Sequence, residues 1–303
     1  MKNENIGKVQ IDFLKMTFLA EDEIIEILSR LKYNDRIEYD GMKGFDLCRI
    51  RDNKYENVYQ IGYFSSKDYK ILGTLRFNLQ CASTMQYINV KNGKKKVWIN
   101  IANPVFYTEG DILLLKKLIQ KLNLSFLHIS SIDLCIDKTF DIYKRIQRNI
   151  RNKDLEVLVN GKAVDKNDYL IEAEMRTSGS LLKPFQVKSY YIKQKKARKD
   201  KTKGNYLIMY NKGEEVVNAS GKQYILDYYG NPEILHRLEV HVCKDKINDY
   251  MTAKGISFNI ELLTSQFSLK EMYDYFLSSI LRFRAIKRGK TGRKVKSWNV
   301  LLR

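Results

Sequence analysis

The order of β-type and helical stretches constrains this chain more than any single motif. Val9–Phe18 alternates apolar residues in a β-rich run, and Glu21–Lys32 follows with Ile24, Ile25, Ile27, Leu28 and Leu31 at helical spacing. Strand-like pieces come next near 43–50, 57–65, 71–79 and 96–102, with Asn92-Gly93 placed as a hairpin turn before Val97. Thr108 is positioned to cap a helix reaching about Leu122. A strand over His128–Asp137 and a helix over Ile142–Arg151 follow, then a less periodic stretch, 154–187, with a turn at Asn160-Gly161. Strands near 186–193, 205–210 and 236–243, a short helix within Lys246–Met251 and a helix over Leu269–Arg284 complete the order. The pattern predicts an α+β fold with a mostly antiparallel central sheet backed by helices. Ile11-Asp12-Phe13-Leu14 and Ile132-Asp133-Leu134-Cys135 echo one another, each before a helix, which leaves a duplicated β-α-β unit open.

Charge narrows the function classes. The 303 residues hold 54 Lys+Arg against 35 Asp+Glu, a net charge of +19, with 44% hydrophobic residues to build a core. The excess is local. Lys188–Lys212 has nine cations and one acid, and Arg282–Arg303 has nine cations and no acid, so two windows hold seventeen of the nineteen net charges. A solvated helix face usually mixes signs, and these runs do not. Nucleic acid is the first partner to expect, an anionic membrane surface the second. No apolar run approaches the ~18 residues of a membrane span. Met1–Val9 lacks a signal-like apolar stretch, and the four cysteines are far apart, so a reduced, cytoplasmic chain is expected. Gly289-Lys290-Thr291 lacks the spacing of a P-loop, and no ATP site is assigned.

Three strand-like segments carry polar residues where a core strand should be apolar. In Ile129–Asp137, residues Asp133, Cys135 and Asp137 share one face, and two carboxylates there suggest a hard-metal site. The structural alternative has Asp137 capping a turn and Asp133 paired with a cation. In His236–Val242, residues Arg237, Glu239 and His241 share a face, and Glu239 with His241 could reach one ion. A buried histidine is more often hydrogen-bonded than metal-bound. Asp133, Glu239 and His241, with Asp137 behind them, would suit Mg²⁺ or Mn²⁺. The third segment, Asn205–Lys212, ends in Tyr210-Asn211-Lys212 beside the basic run.

Together these motifs resemble the replication initiation factor (Rep_trans) group. These are rolling-circle replication initiators such as the Rep proteins of small staphylococcal plasmids, with related relaxases of integrative conjugative elements. The similarity rests on Ile132–Asp137, on Ile208-Met209-Tyr210-Asn211-Lys212 followed by Glu214 and Glu215, and on Arg237-Leu238-Glu239. Ile99–Pro104 and Ile11–Phe18 add to it. It spans roughly residues 9–250. Two positions depart from the family pattern: Ser131 stands where an Arg is usual, and His241 where a second acid often follows the Glu.

The resemblance implies an HUH-endonuclease-like Rep fold, with a nicking and DNA-binding domain over 1–250, and the charge run after Arg282 adds a C-terminal helix and basic DNA-binding arm over 251–303. It implies Tyr210 as a nucleophile that forms a 5′-phosphotyrosine on single-stranded or hairpin origin DNA, with Lys212 and its neighbours favouring the phenolate. Asp133 and Glu239 would hold a divalent ion, with Asp137 and His241 as further ligands. Lys193, Lys195, Lys196, Arg198, Lys199, Lys201 and Lys203 would hold DNA near the tyrosine. Arg237 would pair with Glu239 or clamp a phosphate, and Lys287, Arg288, Arg293 and Lys294 would anchor phosphates from the tail. A host helicase is the implied partner, and a homodimer is left open. Two other readings stand beside this one: a non-catalytic DNA-binding regulator, and a metal-dependent nuclease or transposase using water.

Overall fold

The computed structural model describes residues 4–37, 44–52, 57–64, 68–77, 90–91, 94–164, 171–178, 185–193 and 204–285. The fold is α+β, with a large antiparallel sheet and seven α-helices among the described residues, as the sequence order predicts. Contacts divide the chain into two units. The first is Met1–Ile11, Asp133–Ser257 and Glu261–Arg303, and the second is Asp12–Ile132 with Phe258–Ile260. The division runs through strands β1 (Val9–Ala20) and β8 (Ser125–Lys138). Residue 250 lies inside a helix, α6 (Lys244–Lys254), and the chain passes between the units at Ser257 and again at Ile260.

The second unit begins with β1 and helix α1 (Asp22–Ser29). Strands β2 (Arg36–Ile37), β3 (Phe45–Ile50), β4 (Asn57–Phe64), β5 (Tyr69–Phe77), β6 (Val90–Lys91) and β7 (Lys94–Ile101) follow, then α2 (Asp111–Lys121). The sheet order is β1-β7-β5-β4-β3-β2, with β6 off the path against β7. The pairs Val90↔Lys95 and Lys91↔Lys94 have the register a two-residue turn demands, although Asn92-Gly93 lies outside the described residues. Leu14, Met16 and Phe18 on β1, Val97 and Ile99 on β7, and Leu115 and Leu118 on α2 build this unit's core. Helix α2 starts later than expected. Gly110, at φ 80°, precedes its first turn, and the Thr108 hydroxyl donates to the Pro104 carbonyl instead of capping.

The first unit contains the end of β8, then α3 (Ile142–Arg151), with Asp141 Oδ1 accepting from the Lys144 amide as an N-cap. Strands β9 (Leu155–Val159) and β10 (Lys162–Ala163) form a hairpin across Asn160 and Gly161, both at positive φ. Strands β11 (Glu172–Ser178), β12 (Phe185–Lys193), β13 (Tyr206–Asn211) and β14 (His236–Cys243) follow, in the sheet order β11-β12-β13-β14-β8. Between β13 and β14 lie α4 (Lys212–Glu215), a π-helical turn (Val216–Ser220) and α5 (Gln223–Tyr228). Helix α7 (Gln266–Ile280) ends four residues before the expected Arg284. Leu281–Ala285 is instead a strand, β15, paired antiparallel with β9. Leu281 and Phe283 are buried while Arg282 and Arg284 are not, a period of two that the helical spacing of the preceding residues concealed.

In each unit a later strand returns beside the opening strand. In the second unit β7 returns to β1, and in the first β14 returns to β8. The faint echo between Ile11–Leu14 and Ile132–Cys135 falls on these two opening strands.

Candidate active site

Strand alternation brings the chemistry to one face. In the first unit β13 and β14 pair with Tyr206↔His241, Ile208↔Glu239 and Tyr210↔Arg237, so Tyr210, Glu239, Arg237 and His241 share a side. The side-chain pairs His241–Asp133 and Arg237–Asp137 run in opposite senses along β14 and β8, so these strands are antiparallel too. The residues between, Leu207, Met209, Leu238, Val240, Leu134 and Ile136, are fully buried on the other side. Polar residues on one face and apolar ones on the other satisfy both the core and the site.

Tyr210 is the penultimate residue of β13, and its hydroxyl donates to Glu239 Oε2 at 3.3 Å. Both groups are buried, and Ala219 of the π-helical turn packs against the cluster of Tyr191, Ile208 and Tyr210. Asn211 then stops the strand and caps α4, accepting from the Glu214 amide at 3.1 Å. The Tyr-Asn-Lys order thus has a structural reason: the tyrosine is held at a strand end by a cap. Lys212 does not sit at the phenol oxygen. It is 2% exposed, lies 5.6 Å from the Tyr210 ring centroid, and bonds Glu215 Oε2 at 2.7 Å. The expected cationic partner of the hydroxyl is replaced, in this geometry, by a carboxylate acceptor.

Asp137 and Arg237 are committed to each other. The guanidinium donates from Nε to Oδ1 at 2.9 Å and from Nη2 to Oδ2 at 2.7 Å, with both side chains wholly buried. A bidentate pair of this kind uses both carboxylate oxygens. Asp137 therefore does not fit as a metal ligand here, and Arg237, wholly buried, does not reach outward as a phosphate clamp.

Asp133 Oδ1 and His241 Nδ1 lie 2.5 Å apart, and His241 Nε2 is 3.6 Å from Cys243 Sγ. Tyr206 stacks on the imidazole at 4.6 Å. Burial alone would lower the His241 pKa, but the hydrogen bonds to Asp133 and Cys243 outweigh it and raise the value to about 10. The histidine is thus a cation at neutral pH, oriented by its carboxylate and its stacked ring. Cys243 and Tyr206 take parts that no motif suggested, and Glu215, quoted only as following the Tyr-Asn-Lys motif, holds Lys212. Cys243 could have been read from its period-two relation to His241, whereas the Lys212–Glu215 contact needed the helix turn after Asn211.

Among the described residues no three acidic, histidine or cysteine side chains gather closely enough to hold one ion as arranged. Asp133 and Glu239 have the oxygen donors for Mg²⁺ or Mn²⁺ and share one face of adjacent strands, whereas His241, expected as a further ligand, has its ring nitrogens engaged by Asp133 and Cys243. The Lys193 backbone lies in β12, paired with Tyr206. Lys195, Lys196, Arg198, Lys199, Lys201, Lys203, Lys287, Arg288, Arg293 and Lys294 lie outside the described residues. No described helix is long and apolar enough to cross a membrane. No protein-family model matches this chain, and no curated protein does.

Proposed function

We propose that the protein nicks and rejoins a single strand of DNA through Tyr210, in the manner of a rolling-circle replication initiator or relaxase. The observation that carries this reading is the hydrogen bond from the Tyr210 hydroxyl to Glu239, at the end of a strand on a face shared with Asp133 and His241. A phenol with an ordinary pKa near 10 is a poor nucleophile unless its proton has an acceptor. Glu239 is that acceptor. As the phenol oxygen attacks phosphorus, its proton passes to Glu239, the bond from phosphorus to the 3′-oxygen breaks, and the leaving oxygen takes up a proton as 3′-OH. The phosphodiester is exchanged for a phosphotyrosine ester, so the reverse reaction rejoins the strand without ATP.

The imidazolium of His241, held by Asp133, supplies positive charge on the same face. It is suited to a phosphate oxygen on which charge grows in the transition state. Lys212 adds charge beside the ring, partly offset by Glu215. Asp133 and Glu239 are the residues that would hold a Mg²⁺ or Mn²⁺ ion, which when bound neutralises charge on the scissile phosphate, while His241, as an imidazolium, has no lone pair to offer it. A two-metal nuclease reading would also need Asp137, and Arg237 occupies both its oxygens.

The test is incubation of the protein with end-labelled single-stranded oligonucleotides and Mn²⁺, followed by denaturing electrophoresis. A labelled protein–DNA adduct is expected, mapping to Tyr210 and absent in Tyr210→Phe. Full cleavage by that variant would sink the assignment. Excess EDTA should abolish the adduct, and unchanged nicking in EDTA removes the metal from the proposal.

A further inference from the structure

Sequence counting places nearly all of the excess charge in two windows, yet folding creates a third concentration elsewhere. Helix α3 buries Ile142, Ile146 and Ile150 and turns Lys144, Arg148 and Arg151 outward, all three exposed, at i, i+4 and i+7. Arg145 lies over the Phe140 ring at 5.0 Å. Phe140, Asp141, Lys144, Arg145 and Arg148 line a shallow hollow of about 250 Å³. Lys188 of β12 reaches the same side. It lies 5.4 Å from the Tyr190 ring centroid, and Tyr190 stacks on Tyr143 of α3 at 3.5 Å. The helix has one acid, Asp141, whose carboxylate is already used as the N-cap and pairs with Lys144 at 3.4 Å.

We propose that the outer face of α3, with Lys188 beside it, is a docking surface for the phosphate backbone of duplex DNA. Charge complementarity selects a polyanion. Lys138, at the end of β8, belongs to the same crowd of cations: burial first, and then the charge of Arg145, push its pKa down. Such crowding is relieved by an anion. Duplex is favoured over single strands because the face offers no open aromatic platform. Tyr143 is covered by Tyr190, and Phe140 by Arg145. Splayed bases need such platforms, whereas a duplex presents phosphates alone. From Lys144 to Arg151 the helix spans about 10 Å, on the order of three phosphate steps of ~3.4 Å rise. Tyr190 pairs with Met209, on the side of β13 opposite Tyr210, so the surface is separate from the nicking face and does not depend on it.

The experiment uses the full chain in EDTA and an unrelated fluorescent duplex of about 25 base pairs, read by anisotropy over a salt series. Lys144→Gln/Arg148→Gln/Arg151→Gln should weaken binding about tenfold or more near 0.1 M salt and reduce the salt slope by roughly 2 to 3. Lys144→Arg/Arg148→Lys/Arg151→Lys, which keeps the charges, should bind as the wild type does. Should the triple Gln variant not fold, Arg148→Gln alone should lower the slope by about one. Unchanged affinity and slope in folded variants would overturn the proposal. So would loss in the charge-conserving variant, or loss confined to single-stranded oligonucleotide or to phosphatidylserine vesicles. Tyr210→Phe should leave this measurement unmoved, so a failure of the nicking reading and a failure of this one are separately visible.

Discussion

Asp137 and Arg237 teach caution about acidic residues in strands. Both sit in motifs that invite a catalytic reading, and both are wholly buried in a bidentate pair. Removing one partner of such a pair leaves an uncompensated buried charge, which costs about 3–5 kcal/mol. Asp137→Ala should therefore lower unfolding free energy by that order in urea titration, and its activity loss should follow its loss of fold. Tyr210→Phe, by contrast, removes a hydroxyl that donates to the buried Glu239 carboxylate and should cost about 1–3 kcal/mol. His241 makes a pH prediction. Its folded pKa, raised from 6.5 to about 10, lies above the unfolded value. Its stabilisation is fully present below about pH 6.5 and is lost as pH rises through 10. The stability difference between wild type and His241→Gln should shrink over that window. A constant difference from pH 6 to 10 would show that His241 is not held as an imidazolium.

Period decided which elements were legible. Ile142–Arg151 and His236–Cys243 are read from the sequence with the boundaries they have in the structure, because α3 repeats isoleucine every four residues and β14 alternates. Leu269–Arg284 was readable only in part. The apolar residues at 276, 280 and 283 keep helical spacing, but the last of them belongs to β15, whose partner β9 is more than a hundred residues away. Local spacing cannot report a partner supplied by distant chain. The strand makes a quantitative claim: Phe283→Ala should cost about 3–5 kcal/mol, as for a buried aromatic. If Phe283 lay instead in a loose arm, the substitution would be silent in thermal unfolding. β11 went unread for the same reason, since it gains its place only by pairing with β12.

For the molecule as a whole, charge is organised by folding as much as by composition. The expected basic arm begins inside a strand, where Arg284 pairs with Glu156. Removing residues 286–303 takes away seven cations while leaving β15. The shortened chain should keep its melting temperature, bind DNA more weakly and show a flatter salt dependence; an unaltered slope would remove the tail from the binding surface. The sequence by itself determined the α+β class, the shared faces of Asp133 with Asp137 and of Glu239 with His241, and the net charge of the chain. These follow from periodicity and from counting, which are local or additive. Only the tertiary structure decided that Asp137 is bound to Arg237 and that the Tyr210 hydroxyl meets Glu239 and not Lys212. Those outcomes depend on the register between strands far apart in the chain, and pairing of that kind is set by how the core closes.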